Sequence, residues 1–412
     1  MNIFRPQKPY VFRPPRYSPW LAPLFVLASR ISYLRRRCKV RHVHIHGAEE
    51  VATLARSGQS LLIAPNHADH ADPHVLLYVG KKYGMQFHFM AAREGFEKSR
   101  FYAFVLQKTG AFSVDREGAD IRAVKTAMHI IQKGRYPLVI FPEGEIYHHH
   151  EKLDELNEGV ATIFLRAASK MDGKSCFFVP TALRYKYDES IALTFAERLS
   201  VLEERIAWKP RPDIDPVDRI YRLGGGLLAL KEEEFLGKAN SGNLVDRITA
   251  LQRSLVEVVE AKHGRSKGAD HIPKRVKALR GKIRKQLTRE EDAPDDAERR
   301  SLYDDLDTLF VAVQLYSYPG QYLKKRPTTH RIAETILKLE EDLLGEGSYP
   351  APQDVFVRFD KPVEVSDFLR QRSLDYKTGI GPMTHYLAAS IQDELERAGT
   401  DTDPRHTSSF CT

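Results

Sequence analysis

Between residues 60 and 185 short apolar runs alternate with amphipathic stretches. LLIA (61–64), FHFMA (87–91), AFSV (111–114), PLVIF (137–141) and CFFVPTAL (176–183) are nearly continuous in apolar residues. That is the pattern of strands buried on both faces of a parallel sheet. The stretches between them predict helices. PHVLLYVGKKYG has Asp72 as an N-cap and Pro73 at its first helical position. SRFYAFVLQKTG closes on Gly110. DIRAVKTAMHIIQKG puts Ile121, Val124, Met128 and Ile131 on one face and ends at Gly134; NEGVATIFLRAASK does the same with Val160, Ile163, Phe164 and Ala167. Strand–helix alternation at this spacing predicts an α/β fold, a largely parallel sheet flanked by helices.

The pattern changes after about residue 188. Residues 196–345 read as mostly helical and polar, with a proline-rich break at KPRPDIDP (209–216). DVFVRFDKPVEV (354–365) then returns to strand character and is expected to complete the first sheet. The expected organisation is a basic amphipathic segment (1–41), an α/β domain (42–195 plus 353–370), a large mostly helical insertion (196–352) and a C-terminal helix and tail (371–412). No internal repeat is visible.

Charge adds a partner. The chain of 412 residues is 42% hydrophobic, enough for a core, yet carries a net charge of +8, which favours an anionic surface or substrate. Residues 1–41 hold ten Lys or Arg and no acid. The apolar run WLAPLFVLA (20–28) is too short to span a bilayer. Followed by SRISYLRRRCKVR, it reads as an interfacial anchor on anionic lipid, which predicts a peripheral protein at the cytoplasmic face. A second basic run, Lys262–Arg289, has eleven Lys or Arg against one acid, Asp270. It reads as a solvated helix face or a second membrane-facing patch. It lacks the interleaved aromatics of nucleic-acid binders, so no nucleic acid is expected. Cys38, Cys176 and Cys411 lie far apart and form no CxxC, against a disulfide framework.

The chemistry gathers in PNHADHADPH (65–74), with three histidines and two aspartates in ten residues. His67 follows the strand LLIA, Arg116 follows AFSV and Glu143 follows PLVIF. In open parallel sheets ligands bind beyond the carboxyl ends of the strands, so a base, a cation and a carboxylate are delivered to one edge. A metal reading would use His67, His70, Asp72 and His74, but Pro65 and Asp72–Pro73 place the first two histidines in a loop, and His148–His150 read as a solvated tract. An acid–base reading needs two residues: an imidazole to take a proton from a hydroxyl, and a carboxylate to fix its tautomer. The spacing H-x-x-x-x-D lets a turn carry Asp72 back to His67. No nucleophile accompanies the couple, since GRSKG (264–268) lacks the strand–turn–helix context of a nucleophile elbow. A lone general base implies direct attack by a substrate hydroxyl on an activated carbonyl.

Four motifs together resemble the PlsC-type glycerolipid acyltransferases, which include the lysophosphatidate acyltransferases. The resemblance covers roughly residues 15–185 and the strand near 354–365. NHADHAD matches NH-x-x-x-x-D and implies His67 and Asp72 as the catalytic pair. GAFSVDR (110–116) is similar to the block whose arginine, here Arg116, binds the acceptor's phosphate. FPEG (141–144) is similar to the acceptor-binding block, with Glu143 and Gly144. VPTALRY (179–185) is similar to the apolar block containing Pro180, and Arg93 falls where relatives often carry a basic residue. Many lysophosphatidate enzymes read FPEGTR, whereas this chain reads FPEGEIYHHH. The resemblance implies acyl transfer from an acyl thioester, on CoA or acyl carrier protein, to the hydroxyl of a glycerolipid acceptor such as 1-acylglycerol-3-phosphate. It implies no cofactor and no metal. Two alternatives from other classes are a metal-dependent hydrolase using His67, His70, Asp72 and His74, and a non-catalytic membrane-surface protein.

Overall fold

The computed structural model describes residues 10–116, 120–171, 173–265, 271–289, 293–318, 320–345, 347–400 and 407–409. Residues 1–9 of the basic segment, 266–270 of the basic run (with most of GRSKG), 290–292 of the acidic stretch and much of the tail lie outside the described residues. The described residues form two compact units. One comprises Val11–Asp115, Asp120–Asp188 and Tyr349–Thr412; the other comprises Glu189–Ser348 with Tyr10 and Arg116.

The first unit is built on a sheet of β1 (Val40–His46), β2 (Ser60–Pro65), β3 (His88–Ala92), β4 (Ala111–Val114), β5 (Leu138–Val139), β6 (Cys176–Tyr187), β7 (Gln353–Phe359), β8 (Val363–Glu364) and β9 (Thr407–Ser409). The order is β4-β3-β5-β2-β6-β7-β1-β9, with β8 beside β6. The five strands from β4 to β6 run parallel, as do β7 and β1, while β6–β7 and β1–β9 are antiparallel. Every residue of β2 is buried, because side chains on both faces are covered. Leu61 and Ile63 enter one core with α2 (Ala48–Arg56) and α3 (Asp72–Tyr83). Leu62 and Ala64 enter the other with α6 (Ile121–Lys133), α7 (Gly159–Ala168) and α16 (Ile380–Thr400). This is the α/β architecture expected.

Several local expectations are corrected. On α6 the buried face is Ala123, Ala127, Ile130 and Ile131, with Ile121 exposed; the small alanines pack closely on the sheet, which a search for large apolar residues misses. The helix after Ser99, α5 (Arg100–Lys108), is capped by Thr109, not Gly110. Gly110 instead serves the turn into β4: its φ is +99°, and a Cβ there would lie 2.5 Å from the Phe87 carbonyl oxygen. Met383, Leu387, Ile391 and Leu395 of α16 are core residues of the sheet, so the C-terminal helix is part of the α/β unit. Within 1–41, Arg13 and Ser113 exchange hydrogen bonds, the Arg13 N–H donating to Ser113 Oγ (2.8 Å) and the Ser113 N–H to Arg13 O (3.0 Å). The stretch around Arg13 thus pairs with the outer strand β4, an edge that would otherwise expose unpaired backbone. After it, α1 (Ala22–Ala28) continues as wider π-helical turns, Ser29–Arg37.

The second unit is helical, from α8 (Phe195–Arg205) to α14 (Thr329–Leu344). Its core includes Leu251, Leu255, Val259, Ile283, Leu306 and Leu309. The basic run is not simply a solvated face. In α11 (Ile272–Leu287) Arg275, Arg280 and Arg284 are buried, and Arg275 grips both carboxylate oxygens of Glu260 at 3.0 and 2.7 Å. A fork of two charge-assisted bonds makes such burial tolerable.

Candidate active site

β2 ends at Pro65, and Asn66 fastens the chain just beyond it. The Asn66 side chain accepts from the Leu183 N–H (2.7 Å) and donates to the Leu183 carbonyl (3.0 Å), imitating one more step of the β2–β6 ladder. His67 therefore emerges at a fixed point on the carboxyl edge of the parallel strands. A short loop returns the chain to α3, whose first residue is Asp72. Asp72 is not the N-cap; Ala71 holds that position. The Asp72 carboxylate is instead turned towards the loop, where three donors meet it. Oδ2 receives the His67 Nδ1–H at 2.9 Å and the Asp69 N–H at 3.0 Å, and Oδ1 receives the Tyr185 hydroxyl at 2.6 Å. Asp72 is fully buried, while the His67 side chain keeps 17% of its exposure. With Nδ1 donating to a carboxylate, Nε2 is the ring nitrogen left with a lone pair.

Glu143 comes from the turn after β5. The Gly144 N–H donates to the Phe141 carbonyl (3.3 Å), and Gly144 has φ +75°, a left-handed conformation suited to glycine. The turn places the Phe141 ring against His67, with centroids 4.1 Å apart and planes at 22°. It also buries the Glu143 carboxyl, whose two oxygens accept the backbone N–H groups of His67 (2.6 Å) and Asp154 (3.2 Å). Burial pushes this carboxyl up to about 8; the two N–H donors pull it down, and nearby Asp154 and Asp72 push it up. Asp69 is likewise pushed up to about 6, chiefly by burial, with His148 opposing. Its Oδ1 accepts from the Ala71 N–H (2.7 Å) and the Tyr349 hydroxyl (2.8 Å).

The remaining predicted residues are spread around this edge and away from it. Pro180 is buried in β6, paired with Ala64 of β2 two residues before Asn66. Arg93, directly after β3, is buried and held by Glu97 (2.7 Å) and Asp115 (3.6 Å). Arg116 stands two residues past the end of β4, half-buried, and groups with the helical unit. His74, proposed as a ligand in the metal reading, is tied to Ser29 Oγ (2.7 Å) and packed on Tyr33; burial, with Lys98, lowers it to about 4. His70 is exposed, its ring 5.9 Å from that of His148. The structure thus brings His67, Asp72 and Glu143 together and sends His70 and His74 to other neighbours.

Three features went unread in the sequence. His148 and His150 are buried, so the tract is not solvated. His149 Nδ1 lies 2.7 Å from Asp154 Oδ2, a second histidine–aspartate couple with the same five-residue separation as His67–Asp72. That repetition was visible in the sequence. Tyr185 and Tyr349, each bonded to one aspartate of the loop, left no local signal; they lie 113 and 280 residues from their partners.

Fold and couple define a class, an α/β domain with a histidine–carboxylate pair at the carboxyl edge of its sheet. Residues 42–184 match the family model described as Acyltransferase. Over 103 residues the chain is 29% identical to the 1-acyl-sn-glycerol-3-phosphate acyltransferase of Streptococcus pneumoniae (strain ATCC BAA-255 / R6), an alignment that takes in 25% of this chain and 37% of that relative. The chain therefore spans little more than a third of the curated relative it matches.

Proposed function

We propose that the protein is an O-acyltransferase that moves a fatty acyl group from a thioester, on CoA or acyl carrier protein, to the hydroxyl of a glycerolipid acceptor. The observation that carries this reading is the 2.9 Å bond from His67 Nδ1 to the buried Asp72. As the acceptor oxygen attacks the thioester carbonyl, Nε2 of His67 takes its proton. The tetrahedral adduct collapses, the C–S bond breaks, and the imidazolium returns the proton to the departing thiolate. The ester and the free thiol are the products, and no covalent enzyme intermediate forms. Asp72 fixes the ring and stabilises the transient imidazolium. Glu143, with both oxygens on backbone N–H groups, holds the His67 backbone. The acceptor's anionic group is assigned to Arg116 on the strength of the GAFSVDR block, with Arg93 adding positive charge and Gly144 and Pro180 shaping the substrate's bed.

The reading includes an anionic membrane surface as partner, at its cytoplasmic face. No described helix is long and apolar enough to cross a membrane. Trp20, Leu24, Leu27 and Ile31 recur at helical spacing and are exposed, Trp20 by 86%. On α5, which meets α1 through the Phe25–Phe104 ring contact, Phe101 and Phe104 are exposed as well. Lys98, Arg100, Arg35 and Arg36 are exposed near these residues along the chain. An apolar stripe among cations is the composition of an interfacial surface.

The test is direct. The purified protein is incubated with labelled palmitoyl-CoA and a panel of lysolipids, and the acylated product is identified by mass spectrometry. Transfer to a lysolipid that His67→Ala abolishes is the expected result. Thioester hydrolysis without transfer, or turnover independent of His67, would refute it.

A further inference from the structure

The Asp72 carboxylate is gripped from opposite sides. Oδ2 faces His67 and the Asp69 N–H, and Oδ1 takes the Tyr185 hydroxyl at 2.6 Å. Tyr185 sits near the end of β6, opposite Val355 of β7, and is 1% exposed within the apolar core. The His150 ring packs beside it, centroids 5.1 Å apart. A phenol buried this deeply costs free energy unless its O–H finds an acceptor, and phenylalanine would fill the same space without that demand. Burial, with Asp72 and Asp69 nearby, holds the phenol well above its ordinary pKa, so it remains a donor.

We propose that Tyr185 is a positioning residue for the acyl transfer: its hydroxyl clamps Oδ1 of Asp72 and thereby keeps Oδ2 aimed at Nδ1 of His67. The proposal rests on the reading of His67 as the general base. Without the clamp only the contacts at Oδ2 resist rotation about the Cβ–Cγ bond, and the partner that sets the tautomer and angle of the imidazole is less firmly held. The effect belongs in turnover and not in substrate affinity, because Tyr185 acts through Asp72.

The test is a double-mutant cycle with palmitoyl-CoA and 1-acylglycerol-3-phosphate: wild type, Tyr185→Phe, Asp72→Asn and the double variant, with His67→Ala as reference. Turnover is expressed per folded molecule, measured by far-UV circular dichroism, so partial unfolding is not scored as lost catalysis. Tyr185→Phe should lower kcat about 10- to 100-fold, the range for losing a hydrogen bond to a carboxylate, with both KM values within about twofold of wild type. Added to Asp72→Asn, it should change kcat by less than about twofold, since the clamp then has nothing to orient. A Tyr185→Phe kcat within twofold of wild type, or losses that multiply in the double variant, overturns the assignment. If His67→Ala is inactive while Tyr185→Phe is unaffected, only the Tyr185 role fails. If His67→Ala turns over normally, the acyl-transfer reading and this proposal fail together.

Discussion

Glu143 makes the folded state sensitive to pH in a calculable way. Its carboxyl is raised from 4.5 to about 8, chiefly by burial. Between those values the unfolded chain releases a proton that the folded protein keeps, so stability falls as pH rises and levels off above about 8. Other groups confuse the lower part of this range. Asp69, raised to about 6, acts in the same direction below pH 6. His74, lowered to about 4, acts in the opposite direction below its ordinary value of 6.5. Between pH 6.5 and 8 Glu143 dominates, and at 1.36 kcal/mol per pH unit it removes about 2 kcal/mol. Glu143→Gln abolishes the titration. It also turns an amide N–H₂ towards a backbone N–H donor, His67 or Asp154, an unmet pairing that costs about 1–3 kcal/mol at every pH. The variant should therefore be less stable than wild type at pH 6.5, and the gap should shrink by about 2 kcal/mol by pH 8.5. Amide hydrogen exchange of the β2 and β5 peptides, taken as the wild-type to variant ratio at each pH, reads this difference while cancelling the intrinsic pH dependence of exchange. The ratio of wild-type to variant protection factors should fall roughly 30-fold across the interval. A ratio that stays constant from pH 6.5 to 8.5 would show that Glu143 is ionised throughout and would refute the reasoning.

Four further outcomes are expected. His67→Ala should lower turnover about 10²- to 10⁴-fold and Asp72→Asn should cost heavily without unfolding the domain, whereas His70→Ala should leave kcat nearly unchanged; acyl-transfer kinetics decide, and equal damage from His70→Ala would contradict the couple. Chelation with EDTA followed by desalting should leave acyl transfer intact, and activity that only zinc or iron restores would sink the mechanism. Replacing Trp20 and Phe101 with Ser should weaken sedimentation with anionic vesicles, and salt should weaken it for the wild-type protein; equal binding to neutral vesicles would contradict the interfacial surface. Arg116→Ala should raise the KM for 1-acylglycerol-3-phosphate, or lower kcat/KM, by roughly 10²-fold while barely changing the thioester KM, as losing a charged contact would, and equal effects on acceptors with and without an anionic group would dismiss the role.

The strands that carry the site were legible because both of their faces are covered: SLLIAP and AFSV are nearly continuous runs of apolar residues, and little else in a sequence looks like that. β1 was not, because VRHVHIH interleaves histidines with its buried positions, and those side chains find Asp354 and Phe356 on the neighbouring strand β7. The His67–Asp72 couple could be read because a five-residue turn is local chemistry. Its supports could not, since Tyr185 and Tyr349 meet the loop only after the sheet and the tertiary fold have formed. The histidine tract after FPEG misled for a related reason. A polar run next to a turn usually lies in water, but here the run brings acidic partners of its own: Asp154 pairs with His149 and Lys152, and Glu151 with Arg184.

Three buried carboxyls crowd this edge, and their donors separate their roles. Three donors converge on Asp72, two backbone N–H groups on Glu143, and one N–H and one phenol on Asp69. Donors offset the cost of burying negative charge, and for Glu143 and Asp69 burial outweighs them. Below about pH 8 Glu143 therefore keeps its proton and acts as a neutral bracket for the His67 backbone. This bears on the acceptor. An ionised carboxylate beside the general base would oppose a phosphate-bearing substrate; a protonated one does not. What the glutamate of FPEG does by geometry is to fix the backbone from which His67 projects, through its bonds to the His67 and Asp154 N–H groups.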